Sequence, residues 1–226
     1  MTIRDACPAC IHNQILSCYD KNDYSIYKCA FCGTLFVFNP PNSEDLTSIY
    51  SGIYYELPTE SISRIRDENR RRLRIIRRYK PIGNILDIGC ARGDFLDEAK
   101  LLGYATYGIE LSIENVNISR SKGHTVFHGN LDEYCLQNDK PKQFDIVSCL
   151  DVIEHVTDPV DFLKKSVLRL KDDGIMILTT PNYSGVLAKV LRDKEPYMTP
   201  PEHLNFFTKK ECSLFLRRMG FNRSIT

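Results

Sequence analysis

The sequence predicts an α/β fold, a mainly parallel sheet with helices between its strands, preceded by a small metal-held module. Three observations carry this. Asn84–Ile88 is a short apolar run followed by a loop holding Gly89 and Gly93, then by the amphipathic helical pattern Phe95–Leu102 closed by Gly103. Further strand-like runs at 104–110, 124–128, 144–150 and 175–180 alternate with helical patterns, the arrangement that builds a parallel sheet. Near the start, Cys7-Pro8-Ala9-Cys10 and Cys29-Ala30-Phe31-Cys32 form two Cys-x-x-Cys knuckles 18 residues apart.

Composition narrows the function classes. The 226 residues, 42% hydrophobic, allow one large domain plus a small appendage. A net charge of +1 makes no global electrostatic case for nucleic acid or an anionic membrane as partner. No apolar run reaches the roughly 18 residues of a membrane span, and Met1–Asp5 lacks the apolar core of a secretory signal. Of nine cysteines, four stand at metal spacing and the others sit singly in apolar stretches, so a reducing, cytoplasmic compartment is expected.

In chain order, residues 1–40 read as a zinc ribbon. Tetrahedral zinc takes four thiolates, and Cys7, Cys10, Cys29 and Cys32 present two from each knuckle. With all four positions thiolate the zinc is expected to be structural, and a segment this small needs it to fold; a redox role for the cysteines is the alternative. Residues 41–80 read as linker, tyrosine-rich segment and basic helix. The segment around Tyr54 and Tyr55 is either a packing patch or a lid over a ligand. The helix, about residues 61–79, has Ile65, Leu73, Ile76 and Tyr79 for an apolar face. Its run Arg70-Arg71-Arg72 is either a solvated side or a phosphate grip.

Residues 81–226 read as the sheet domain, and its first loop discriminates between ligands. A dinucleotide site wants Gly-x-Gly-x-x-Gly with no acid beside the pyrophosphate. Here those slots hold Gly89, Ala91 and Asp94, with Asp87 just before the turn. Acids at the mouth suit a ligand bearing an ammonium and a sulfonium. Glu110, 21 residues beyond Gly89 at the end of the second strand, can accept both hydroxyls of a ribose.

Asp87-x-Gly89-x-Ala91-x-Gly93 resembles the first motif of class I S-adenosylmethionine-dependent methyltransferases, with Ala91 in place of the usual middle glycine. Asp151-Val152-Ile153-Glu154-His155-Val156, after the fourth strand, closely resembles the corresponding segment of the group that includes ubiquinone-type O-methyltransferases. The resemblance covers nearly the whole chain and implies a Rossmann-like class I sheet binding S-adenosylmethionine. It implies cofactor contacts from Asp87, Gly89, Ala91, Gly93, Glu110 and its neighbour Leu111, and Leu150 along the cofactor. Asn130 and Leu131 would lie at the adenine, with Asn130 where the family more often has aspartate. Tyr54 and Tyr55 match a segment that often covers the cofactor in this family. Two histidines are candidates for a base, because imidazole titrates near neutral pH. His203, in Pro201-Glu202-His203-Leu204-Asn205-Phe206-Phe207-Thr208, is the stronger, with capping or packing as its other reading. His155 either acts as base or holds its loop by hydrogen bonding.

The last turns read as a helix from Thr208 to Met219 and the beginning of a sixth strand at Gly220–Thr226. The antiparallel strand that completes the family's sheet is expected to be missing, leaving that side open or paired with another chain, a copy of this one or a partner. The expected function is methyl transfer from S-adenosylmethionine to a small molecule, such as a sugar or polysaccharide precursor, because the ribbon resembles the cysteine-rich N-termini of deoxysugar methyltransferases. An RNA methyltransferase and a non-catalytic cofactor-binding subunit are the alternatives. Neutral charge opposes the first of these.

Overall fold

The computed structural model describes residues 3–42, 45–46, 48, 59–137, 143–183 and 198–221. Tyr54 and Tyr55, residues 184–197, and residues 222–226 of the expected sixth strand lie outside them. The elements, in order, are β1 (Ile15–Lys21), β2 (Tyr24–Cys29), β3 (Leu35–Val37), α1 (Thr59–Ile76), β4 (Asn84–Ile88), α2 (Asp94–Leu101), β5 (Ala105–Glu110), α3 (Ile113–Ser121), β6 (Thr125–His128), α4 (Leu131–Leu136), β7 (Phe144–Leu150), α5 (Pro159–Val167), β8 (Leu170–Thr179), β9 (Asn205–Phe206) and α6 (Lys209–Arg218). No helix among the described residues is long and apolar enough to cross a membrane. The chain forms two compact units: Thr47–Leu150 with Lys165–Leu178, and Met1–Leu46 with Asp151–Lys164 and Thr179–Thr226. These cut across the linear division expected at residues 40 and 80.

The first unit carries a five-stranded sheet in the order β6-β5-β4-β7-β8. The β4–β5, β4–β7 and β5–β6 ladders are parallel, with Ile88 opposite Ile109 and Cys149. The strands are near-continuous apolar runs because helices cover both faces of such a sheet. Its core gathers Leu73, Ile85, Leu96, Tyr104, Val116, Val126 and Ile146. In α1, Leu73 and Ile76 supply the buried stripe, whereas Tyr79 lies beyond the helix and is exposed, so it does not join that face. Much of α1's basic charge is locally compensated. Arg66 and Arg70 both pair with Glu98, and Arg72 pairs with Glu68.

The fifth strand starts earlier than its apolar pattern announces. Lys171-Asp172-Asp173-Gly174, ahead of the apolar run 175–180, belongs to β8. Charged residues are tolerated there because the strand's start is tethered from outside its own pattern. Phe144 N donates to Arg169 O (2.7 Å), and Lys171 Nζ donates to Asp145 Oδ1 (2.9 Å).

The second unit is a four-stranded sheet in the order β1-β2-β3-β9. A ribbon hairpin supplies three strands. The fourth, β9, comes from more than 160 residues later and pairs antiparallel with β3, Leu35 opposite Phe206 and Phe36 opposite Asn205. Phe36, Phe206 and Phe207 are fully buried, and Phe207 stacks on Phe215 of α6 at 5.9 Å. Thr208 opens α6 with a capping box, its side chain accepting from Glu211 N while Glu211 accepts from Thr208 N.

Candidate functional site

The glycine loop lies at the carboxyl end of β4, where a parallel sheet leaves a crevice for a ligand. Its backbone is left-handed at Gly89 (φ 74°), Ala91 (φ 47°) and Gly93 (φ 80°). At Gly93 a side chain is excluded twice over. The conformation favours glycine, and an added Cβ would stand 2.6 Å from Ser119 Oγ and 3.0 Å from His124 Cδ2. Ala91 adopts the left-handed conformation despite its Cβ, a local strain stored in the loop.

Glu110 closes the loop from β5. Its Oε2 accepts from Ala91 N (2.9 Å) and its Oε1 from Ser112 N (2.8 Å). A carboxylate offers about four lone-pair directions, so two remain for the hydroxyls of a ribose. Leu111 follows, half-buried. Gly129 N donates to Glu110 O (2.9 Å), which brings the segment carrying Asn130 and Leu131 to the same edge. The Asn130 carboxamide oxygen caps α4 by accepting from Glu133 N (2.9 Å). Leu131 is buried, and Leu150, at the end of β7, is half-buried against the core.

Asp87 lies deeper than a residue at the mouth of a site. It is 3% exposed, and burial pushes its carboxyl up to about 7, opposed by the Ser148 hydroxyl donating to Oδ1 (2.7 Å) and reinforced by the nearby Glu110 charge. The acids of α2 are neutralised from outside the loop. Lys122 Nζ reaches Asp97 (2.8 Å), Asp94 (3.3 Å) and Arg92 O (2.7 Å), and the buried His124 links Asp97 to Thr106. Sequence reasoning missed Ser148, Lys122 and His124. Only Ser148 left a signal, as a polar residue inside the apolar run Phe144–Leu150.

The second unit holds two clusters. In the ribbon, Cys7 Sγ lies 3.6 Å from Cys32 Sγ and Cys10 Sγ 3.5 Å from Cys29 Sγ, and one sulfur from each cysteine lies within 4.8 Å of the others. Zinc–thiolate bonds of about 2.3 Å place tetrahedral sulfurs about 3.8 Å apart, so the four residues fit a closed zinc site. Hydrogen bonding from the Cys7 thiol pushes Cys32 below the ordinary thiol range. None of the nine cysteines is in a disulfide.

The other cluster is Glu154, His155 and His203. The histidine rings lie 4.7 Å apart between centroids. His155 Nδ1 donates to Glu202 O (2.8 Å), and His203 Nδ1 lies 3.1 Å from the Tyr183 hydroxyl. Burial lowers His155 to about 4, against the Glu202 carbonyl and with help from His203, so its imidazole is neutral. Burial raises Glu154 to about 8. The Thr180 hydroxyl is near enough to oppose this slightly but does not complete a hydrogen bond. Asp151, at the head of this segment, holds a left-handed backbone (φ 55°) and is tied to Thr179 through its N–H (3.1 Å) and its Oδ1 (3.0 Å).

A family described as a methyltransferase domain matches residues 55–223. The chain belongs to that methyltransferase family. As a member it is an S-adenosylmethionine-dependent methyltransferase, and the loop and Glu110 fit the adenosyl cofactor. Similar proteins include the ubiquinone biosynthesis O-methyltransferase of Pelagibacter ubique, 31% identical over 170 residues, 63% of this chain and 68% of that protein. The enzyme of the same name from Bradyrhizobium diazoefficiens is 35% identical over 102 residues, 43% of this chain and 40% of that one. The chain thus spans about two thirds of one relative and well under half of the other. These relatives do not carry sugar or polysaccharide names. Two solved structures share the methyltransferase fold. An S-adenosylmethionine-dependent methyltransferase of Archaeoglobus fulgidus has TM-score 0.56 and 22% identity over 70% of this chain and 69% of that one. One from Thermotoga maritima has TM-score 0.54 and 22% identity over 70% and 72%.

Proposed function

We propose that this methyltransferase transfers the methyl group to a hydroxyl oxygen of a small-molecule acceptor. The observation that carries the cofactor half is the Glu110 carboxylate, fixed by the Ala91 and Ser112 amides at the end of β5 with lone pairs to spare. Asp87, Gly89, Ala91 and Gly93 shape the loop side, Leu111 and Leu150 offer apolar contact, and Asn130 and Leu131 border the adenine. When bound, S-adenosylmethionine supplies an electrophilic methyl. The chain orients it and excludes water, so rate comes chiefly from alignment.

Oxygen as the acceptor atom rests on the names of the similar O-methyltransferases. The same names favour a hydroxylated acceptor other than a sugar precursor, which the sequence resemblance had put first. Proton removal is assigned to the Glu154–His155–His203 cluster, with His203 foremost. Zinc in the four-cysteine site is structural, for the thiolates fill all of its positions.

The test has two stages. Calorimetric titration should show S-adenosylmethionine and S-adenosylhomocysteine binding at micromolar concentration and NAD not binding. A folded sample that ignores both adenosyl ligands would refute the cofactor assignment. Turnover is then compared on catechols and on sugar nucleotides. Methylation of sugar nucleotides alone would return the acceptor to the sugar class.

A further inference from the structure

We infer that the carboxyl ends of α1 and α2 form a binding site for a small organic phosphate, apart from the cofactor loop. An open cavity of about 700 Å3 lies there. Its lining has two characters. Arg70 and Arg74 of α1, with Arg77 and Arg78 just beyond it, supply the charge. Leu101 and Leu102, at the end of α2, supply apolar surface.

The arginines share one face because 70, 74, 77 and 78 are spaced by helical turns. Arg77 N donates to Leu73 O (2.9 Å) and Arg78 N to Ile75 O (3.1 Å), so the helical path continues past Ile76. Like charges at these spacings repel one another. Glu98, the one acid in the lining, is already engaged by Arg70 (2.8 Å) and by Arg66 (3.2 Å). Among the described residues no carboxylate pairs with Arg74, Arg77 or Arg78. Three cations are left facing a cavity, and an anion is what resolves them.

The base beneath them is fixed. Leu73 and Ile76 bury the opposite stripe of α1, and the buried Tyr104 donates its hydroxyl to Lys80 O. Ala105 N donates to Gly83 O (3.0 Å). The turn from Lys80 to Gly83, with Pro81 in the lining, is thereby tied to the sheet. Binding there costs little backbone ordering.

The chemistry of the lining selects the ligand. Guanidinium groups match phosphate oxygens in bidentate pairs and stay charged at physiological pH. Leu101, 76% exposed, would gain from covering by a carbon body. The volume suits a small molecule, and a concavity does not suit a membrane surface, into which an apolar face must sink. The phosphate grip read at Arg70-Arg71-Arg72 therefore moves down the helix, since Arg72 is taken by Glu68 (3.7 Å) and Arg71 is not in the lining. The eight residues of α2 separate this site from the glycine loop by about 12 Å.

The full chain is titrated calorimetrically with octyl phosphate and with inorganic pyrophosphate. Octyl phosphate should bind at submillimolar concentration, with equal affinity whether or not S-adenosylhomocysteine is bound. Arg74→Gln and Arg77→Gln should each weaken it about tenfold or more. Leu101→Gln should weaken octyl phosphate and leave pyrophosphate unchanged. All three side chains are exposed, and thermal melts check each fold; if one variant fails to fold, the others decide. No saturable binding of octyl phosphate at millimolar concentration, or affinity untouched by both arginine substitutions, would overturn the inference. So would displacement by S-adenosylhomocysteine, which would put the ester in the cofactor site. Retention on phosphatidate-containing vesicles without binding of the free ester would overturn it too, because the phosphate would then be a lipid headgroup.

Discussion

The two units solve the problem of placing reactive side chains in opposite ways. In the unit with the five-stranded sheet, the site is local in sequence. Strand, loop and helix are consecutive, and Glu110 arrives one strand later at the neighbouring edge. A packed core of Leu73, Ile85, Leu96 and Ile146 supports it. In the unit with the ribbon, the groups come from three separated stretches of chain, joined by β3–β9 pairing and the Asn205 clamp, while the four sulfurs tie the first stretch to itself. One unit is held by burial of apolar strands. The other needs pairing between distant segments, and its small ribbon needs metal to hold the first of them.

The largest effect that would break this contrast is removal of zinc. Structural zinc is worth on the order of 10 kcal/mol in small modules, so stripping it, or Cys29→Ser, should abolish hydrogen-exchange protection in β1, β2 and β3. Protection in β4, β5 and β7 should persist. Equal loss in both sets of strands would show that the two units do not differ as described.

Next in size is the cofactor carboxylate. Each hydrogen bond to a charged group contributes about 1.5–3 kcal/mol, so Glu110→Ala should weaken S-adenosylhomocysteine binding roughly 100-fold or more. A change under tenfold in calorimetry would remove Glu110 from the ribose. The substitution also deletes the Ala91 and Ser112 contacts, and a thermal melt without ligand measures that part separately.

Asp87 gives a pH signature. Its carboxyl is raised in the folded protein to about 7, above an unfolded value near 3.8. Between those values the folded state holds more protons, so stability falls as pH rises from about 4 to about 7. Asp87→Asn should flatten that stretch of the urea-denaturation profile. An unchanged slope would mean that the buried acid is compensated otherwise.

The smallest effects lie in the loop backbone. Gly93→Ala meets both a left-handed φ and the Ser119 and His124 side chains, and should cost about 2–3 kcal/mol. Ala91→Gly relieves strain at φ 47° and should stabilise by less than about 1 kcal/mol after the entropy of glycine is subtracted. Urea midpoints for the pair give both signs, and destabilisation by Ala91→Gly would argue against strain at that position.

The sequence by itself determined the first unit's order of elements and its loop, because a buried parallel strand, a glycine turn and an amphipathic helix are written in consecutive residues. Phe144–Leu150 matches its expected strand end to end. The four cysteines were legible for the same reason, since a knuckle is a local turn. Tertiary structure alone decided that Asn205–Phe206 would complete the ribbon's sheet and that Lys122 would neutralise Asp97. It also decided that Glu154 would be buried beside two histidines, one of them 49 positions further on. Two-residue strands and single charged side chains carry no periodicity, so their partners are fixed only when distant segments pack and a buried polar group must find whatever that packing brings to it.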